Sequence, residues 1–533
     1  MPMTWTYKLI KTLFKMTSGA FYATIELRGE ENIPKPGEAC ILCFNHGNGL
    51  ADPKLIIRAT PRMVRFCAKD TLWKIPIMGT FIANSGAVPV YRRRDHKGKN
   101  TKELNAIMFK NVYDALGRGE MIGIAPEGVS RFLPFMAEPL KTGPARMALA
   151  AVELHMEKDE NYQIKLLPTC ITFTHREKFR SDVVLIYSDP IIVDKTWINN
   201  PKRFPTHEDA VKELTRLLGA SMKASTINCP DWETTQVALT AARIHRPLGT
   251  KISLGDYVLH LRSWVEFLKP PSNGVDDAGN AIIEYDKIAP DVKYLREKLI
   301  EYQTFLNSKK IKDDRVRKIE FQGRMPRWVI FLRMIQTGML AFVLFICALP
   351  GLVVWTPSWF LIRRAERNLL AKGPRWNDSV AEMKMLYGFL STIALFVLSG
   401  IFVNWKALLL PIVLWFTIRF YEDGIAAARD FYSLYKLLFL YDTTMEKMRS
   451  MRKECVALVT KLSLKSVEIK RNKSADNAID SWTERDENIP WYDPYWFDMP
   501  WTKFLINFIM RRQKKDWNEV LRFNDHNTMN YVE

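Results

Sequence analysis

The chain has 533 residues, a formal net charge of +19 and seven scattered cysteines. That length exceeds one small domain, and the basic excess asks for an anionic partner: nucleic acid, anionic lipid or a phosphorylated metabolite. An odd cysteine count argues against a disulfide framework. Cys40 and Cys43 have no second pair at zinc spacing, so they read as small hydrophobes in a reducing compartment, with no metal site expected.

Residues 1–23 predict an amphipathic helix with Trp5, Leu9, Ile10, Leu13, Phe14 and Phe21 apolar. Such a helix lies on a membrane surface or docks on the domain by the same face. Lys8, Lys11 and Lys15 break any secretory h-region. Residues 24–195 alternate between strand and helix patterns. TIELRG, ACILCF, MIGIAP, IKLLPTCITF and VVLIY read as strands, whereas 101–116 and 143–158 read as helices, the latter with Pro144 in its first turn. This predicts an α/β domain, a central sheet flanked by helices. Residues 196–326 are polar and largely helical, broken by the Pro/Gly/Asp loop 270–280.

Residues 327–421 read as membrane segments. The run 334–355 carries no charge over 22 residues, enough to cross a bilayer core. A second apolar stretch, 385–418, predicts a helical hairpin. Loop 363–384 is rich in Lys and Arg, as is the domain before it. Cytoplasmic flanks on both sides ask 334–362 to enter and return at Pro350–Gly351, with a clean span as the alternative. Residues 422–533 predict a cytosolic helical tail, with an aromatic and proline-rich segment at 482–501. The long apolar stretches, and the lack of an RRM, KH or zinc-knuckle pattern, disfavour a nucleic-acid partner.

The stretch FNHGNGLADP, 44–53, places His46 in a turn between a strand and a helix, the edge where α/β folds bind ligands. Asp52 and Pro53 predict a helix start, with Asp52 as N-cap and Pro53 at the first helical position. A carboxylate that accepts from one imidazole nitrogen fixes the tautomer and leaves the other as a base. The alternative is a plain turn with a capping Asp. SGAVPVYRRRD (85–95) ends a strand in Arg92, Arg93 and Arg94, which suits a phosphate or a solvated charge run. IAPEGVSR (124–131) sets Glu127 in a Pro/Gly turn beside Ser130, and LLPTCITF (166–173) is a strand containing Pro168.

NHGNGLAD, GAVPVYR, APEGVSR and LLPTCI, in that order, resemble the four motifs of the glycerolipid acyltransferases, which acylate glycerol phosphates from acyl-CoA. The block 224–247 and the apolar segment 346–360 are similar to the fungal-type glycerol-3-phosphate/dihydroxyacetone-phosphate branch. The commonest family pattern has four residues between His and Asp. Here GNGLA puts five between His46 and Asp52, and Gly47 and Gly49 are expected to absorb the extra residue by taking φ > 0.

The resemblance implies an acyltransferase domain with a helical insertion, two membrane-embedded hairpins and a helical tail. It implies acyl transfer from acyl-CoA, as co-substrate and with no cofactor, to the sn-1 hydroxyl of glycerol 3-phosphate or dihydroxyacetone phosphate. His46 would be the general base and Asp52 its orienting acid. Arg92, with Arg93 or Lys97, would bind the phosphate. Glu127, Gly128 and Ser130 would shape that pocket, Glu127 by orienting Arg92 or a substrate hydroxyl, and Pro168 would serve acyl-CoA. Lys69 and Lys141 are further basic candidates, and the backbone N–H of Gly47 or Gly128 would meet the oxyanion. No G-x-S-x-G elbow is present. The expected location is the endoplasmic reticulum membrane, with the catalytic domain facing the cytosol. A lysophospholipid acyltransferase and a non-catalytic protein binding anionic lipid are the alternatives.

Overall fold

A computed structural model describes residues 3–471 except 75–77, 92–100, 129, 131–132, 199, 201, 247–252, 276–280, 284–287, 310, 312, 314–315, 317–326, 374–378, 404–408 and 441. Arg92, Arg93, Arg94, Lys97 and the aromatic segment 482–501 therefore lie outside the described residues.

Eight strands form one sheet: β1 (Thr24–Arg28), β2 (Cys40–Phe44), β3 (Val64–Lys69), β4 (Val88–Val90), β5 (Met121–Ile124), β6 (Ile164–Phe173), β7 (Asp182–Tyr187) and β8 (Ile191–Val193). Their order is β1-β7-β6-β2-β5-β3-β4, with β8 also on β6. β2 runs parallel to both β5 and β6, whereas β6 and β7 are antiparallel. All five residues of β2 are buried, as expected of a strand covered on both faces. Its side chains alternate between two cores. Ile41 and Cys43 enter the core beneath helices α4 (Thr101–Gly117), α5 (Gly143–His155) and α6 (His207–Ala224). Cys40, Leu42 and Phe44 enter the core beneath α1 (Trp5–Phe21) and α2 (Ala51–Ala59). Burial pushes the Cys40 thiol up to about 12, which fits an inert hydrophobe.

Packing moves one boundary that composition suggested. Ala210, Val211, Leu214, Leu218 and Met222 of α6 belong to the sheet's core, so α6 completes the α/β layer although it follows residue 196. A separate helical core joins α7 (Trp232–His245), α8 (Leu254–Leu268) and α9 (Pro290–Lys309). The loop expected at 270–280 carries Ser272–Val275, paired antiparallel with Ala281–Ile283. α1 docks by Tyr7, Ile10 and Phe21, with the Val64 N–H donating to the Tyr7 hydroxyl at 3.0 Å, while Trp5, Leu9 and Met16 stay exposed. The surface-helix expectation thus meets a helix whose other apolar face is already used.

Three helices follow: α10 (Arg327–Leu370), α11 (Val380–Val403) and α12 (Leu410–Leu438), then α13 (Asp442–Arg471). Two helices, Arg327–Leu370 and Val380–Ile401, are long and apolar enough to cross a membrane. The return at Pro350–Gly351 is not there. α10 is continuous through Pro350 and Pro357, because neighbouring apolar helices hold a Pro-containing helix straight enough to continue. Gly351 is a contact point with α12: a Cβ there would overlap Thr417 Oγ1. The boundary expected at 421/422 lies inside α12. The N-terminal end and the middle of α10 meet the protein body, and its C-terminal end meets α11. Ile330 joins the helical core, Trp355 lies 6.1 Å from the Phe179 ring, and Glu366 pairs with Lys384 at 2.7 Å.

Candidate active site

Strands β2 and β5 end side by side against β6, which runs on to Phe173, and the loops that leave their C-terminal ends converge. Asn45 is pinned first. Its side-chain amide donates to Ile171 O at 2.9 Å and its Oδ1 accepts from the Ile171 N–H at 2.7 Å. This pair extends the β2–β6 register past the strand and fixes where the turn begins.

His46 follows, with its Nδ1 2.9 Å from Asp52 Oδ2; the two side chains are 23% and 0% exposed. A carboxylate only accepts, so Nδ1 carries the proton and Nε2 is the basic nitrogen. The same Oδ2 accepts from the Asn48 N–H at 2.9 Å. This closes the longer spacing: the carboxylate reaches back over the turn to both imidazole and backbone. Gly49, at φ +52, is the one of the two expected glycines that takes the left-handed conformation. Asp52 is not the N-cap. α2 begins at Ala51 with Leu50 as cap, and Asp52 sits in the first turn, where its Oδ2 serves the His46 turn rather than the helix amides.

Glu127 braces that turn from the β5 side. Oε1 accepts from the His46 N–H at 2.7 Å and Oε2 from the Ala137 N–H at 3.1 Å. Burial pushes its carboxyl above the ordinary range, while these two donors pull the other way. Within the described residues it holds the His46 backbone; Arg92, which the motif paired with it, lies outside them. Ser130 Oγ accepts from the Gly49 N–H at 3.2 Å. Gly128, at φ +73, donates its N–H to Ala125 O at 3.2 Å. That N–H is therefore engaged and does not fit the oxyanion role expected of it. The Lys141 stem packs over Gly128, where a Cβ would meet Lys141 Cγ at 3.1 Å. Pro168 lies on β6 opposite Cys43, one layer back from the His46 turn. Lys69 ends β3 opposite Val90, exposed. Arg92 and Arg93 follow directly on Tyr91, outside the described residues.

On the Asn45 and Gly47 side of the turn lies a cleft of about 140 Å³. Leu133–Met136, Ile171, Phe173, Ile227, Leu239 and Leu261 wall it, and Glu127 and Arg176 face it. Sequence reading missed Asn45, Asn48 and Arg176. Asn45 and Asn48 stood inside the quoted stretch without a role. Arg176 follows Pro168 by eight positions in a charged loop, and only its tertiary partner, Gly47 O at 3.0 Å, marks it.

The site is thus a His–Asp pair at the C-terminal edge of a parallel-rich sheet, braced by a Pro-Glu-Gly turn. Residues 24–172 match the family model described as Acyltransferase. It is similar to glycerol-3-phosphate O-acyltransferase 1 of Saccharomyces cerevisiae, 25% identical over 381 residues that cover 70% of this chain and 46% of the relative. It is also similar to glycerol-3-phosphate O-acyltransferase 2 of the same yeast, 24% identical over 460 residues, 68% of this chain and 59% of the relative. The chain thus spans about half the length of the curated relatives it matches. Among solved structures, the 1-acyl-sn-glycerophosphate acyltransferase PlsC of Thermotoga maritima aligns over 41% of this chain and 78% of its own, with a TM-score of 0.29 and 20% identity.

Proposed function

We propose that this chain transfers an acyl group from acyl-CoA to the sn-1 hydroxyl of glycerol 3-phosphate, at a membrane surface. The observation that carries the reading is the 2.9 Å contact between His46 Nδ1 and a fully buried Asp52. His46 Nε2 takes the hydroxyl proton as the oxygen attacks the thioester carbonyl carbon. Asp52 stabilises the imidazolium that forms. The tetrahedral intermediate expels the CoA sulfur, which receives the proton from His46. The products are the acylglycerol phosphate and free CoA, and no protein nucleophile is acylated.

Holding hydroxyl, base and thioester together supplies much of such a rate. The apolar helices α10–α12 suit a reaction whose donor and product carry a long acyl chain. Arg92 and Arg93, next to β4, are the proposed phosphate ligands. The names of the yeast relatives favour glycerol 3-phosphate as acceptor. Dihydroxyacetone phosphate and lysophospholipids are offered in the same assay, and preferred transfer to a lysophospholipid would replace this acceptor. The proposed setting is the endoplasmic reticulum membrane, with the α/β domain on the cytosolic face.

The test is acyl transfer by the purified chain in lipid vesicles. Wild type is expected to release CoA and form the acylated product, and His46→Ala to lose transfer by at least about 10³-fold while floating with vesicles as before. A wild type inactive toward every acceptor, yet still bound to anionic vesicles, would establish the lipid-binding alternative.

A further inference from the structure

The β6–β7 connection, residues 174–181, touches both the catalytic turn and the apolar helices. Its neck is closed by hydrogen bonds from the Thr174 N–H to Asp182 O and from the Asp182 N–H to Thr174 Oγ1, both 2.9 Å. These bonds hold the two ends of the segment together. At its near end Arg176, a residue 7% exposed, donates from its guanidinium to Gly47 O at 3.0 Å, and the Asn48 side-chain amide donates to Arg176 O at 3.0 Å. Gly47 and Asn48 are the residues that follow His46, and Asn48 supplies the N–H that Asp52 accepts.

At its far end each of three residues meets a different partner. Lys384 of α11 donates to Glu177 O at 3.0 Å. The Phe179 ring lies 6.1 Å from Trp355 of α10 and 5.9 Å from Phe21 of α1. Arg180 pairs with Glu422 of α12 at 2.6 Å, the two side chains 12% and 15% exposed. Arg180 sits at φ +63, a conformation that a non-glycine residue holds only when its surroundings fix it. Here its N–H donates to Phe21 O at 2.6 Å and its guanidinium reaches Tyr22 O at 3.2 Å. Tyr22 returns to the site, since its hydroxyl accepts from Asn48 at 3.4 Å.

We propose that residues 174–181 are a strut through which α10–α12 hold the catalytic turn, with Arg176 the positioning residue at one end and the Arg180–Glu422 pair the anchor at the other. Seating of the apolar helices in lipid thereby sets how well the His46–Asp52 pair is held. The activity arm of the test rests on the proposed acyl transfer; the structural arm does not.

Full-length protein is reconstituted in phosphatidylcholine vesicles as wild type, Arg176→Gln, Glu422→Gln and the double variant. If the strut operates, each single variant lowers kcat about 3–30-fold with KM for the acceptor within about twofold, and the double variant is no slower than Arg176→Gln alone. Arg176→Lys, which keeps a donor for Gly47 O, recovers part of the loss. Amide hydrogen exchange, read without substrate, is expected to quicken at residues 45–50 in Glu422→Gln. Phe179→Leu, which removes the ring contacts with Trp355 and Phe21 but keeps the Arg180–Glu422 pair, serves should Glu422→Gln fail to fold, and the same quickening is expected of it.

Multiplicative losses in the double variant, an effect on KM alone, or unchanged exchange at 45–50 in a folded far-end variant would overturn the strut. A wild type that transfers no acyl group to any acceptor overturns the functional reading instead, and the exchange arm then decides the strut by itself.

Discussion

His46 and Asp52 are separated by two glycines, an Asn, a Leu and an Ala, and the carboxylate spans that gap because it accepts twice through one oxygen, from Nδ1 and from the Asn48 N–H. Asp52→Asn keeps an acceptor there but loses the negative charge that balances an imidazolium. Its kcat is expected to fall by about 10²–10⁴-fold, with acceptor KM little changed, measured in the vesicle assay. Glu127 gives a prediction of opposite electrostatic sign. Its carboxyl is held above the ordinary value by burial, so the folded chain binds that proton more tightly than the unfolded chain. Its contribution to stability is therefore complete below the unfolded carboxylate pKa and is lost as pH rises through the raised value. Glu127→Gln removes this dependence, and its Tm relative to wild type is expected to climb between roughly pH 4 and pH 7. A difference that is flat across that range would show that Glu127 is not buried at a cost.

Among the elements, α10 and α12 pack through small residues. Gly351 meets Thr417, and Gly338 meets the Phe431 ring, 3.0 Å from where a Cβ would stand. Close approach through glycine is how apolar helices associate where the hydrophobic effect does not distinguish helix from lipid. Gly351→Leu is expected to destabilise the helix pair by about 1–3 kcal/mol, read as a lower Tm in detergent, whereas Gly400→Leu, with nothing near its Cβ position, leaves Tm unchanged. The helices α7 and α8 carry a second titrating pair outside the membrane segments. His245 and His260 stack at 5.4 Å. Burial pulls His260 down to about 3, with His245 and Arg246 adding to it. A histidine buried neutral stabilises above its unfolded pKa and loses that stability as pH falls toward the depressed value. His260→Phe is therefore expected to narrow the loss of Tm between about pH 7 and pH 5.

The whole molecule presents two different attractions to a membrane. One is charge, at +19 net. The other is the outer face of α10 and α11, where Trp328, Met339, Phe342, Val353, Phe360 and Ile401 are exposed. A continuous apolar face of this kind marks a lipid or partner surface. At about 1 M salt the screening length is roughly 3 Å, so charge-driven binding is lost while apolar insertion is kept. Flotation with anionic vesicles is expected to survive a wash of about 1 M NaCl. Release by salt would assign the membrane contact to charge and leave the apolar face to another partner.

Local pattern alone determined much of this protein. The buried strand CILCF, the turn after it, the Pro-Glu-Gly loop and the charge-free run from 334 can all be read in the chain, because strand burial, turn chemistry and helix hydropathy are properties of neighbouring residues. Tertiary structure decided the rest. It made Asp52 a partner of His46 rather than a helix cap, assigned Glu127 to the His46 backbone, carried α10 straight through Pro350 and placed α6 on the sheet. It also brought Arg176 and Glu422 to opposite ends of one loop. Each of these depends on contacts between residues far apart in the chain, or on which of several hydrogen-bond partners a polar group meets once the core has closed, and a linear pattern does not rank such partners.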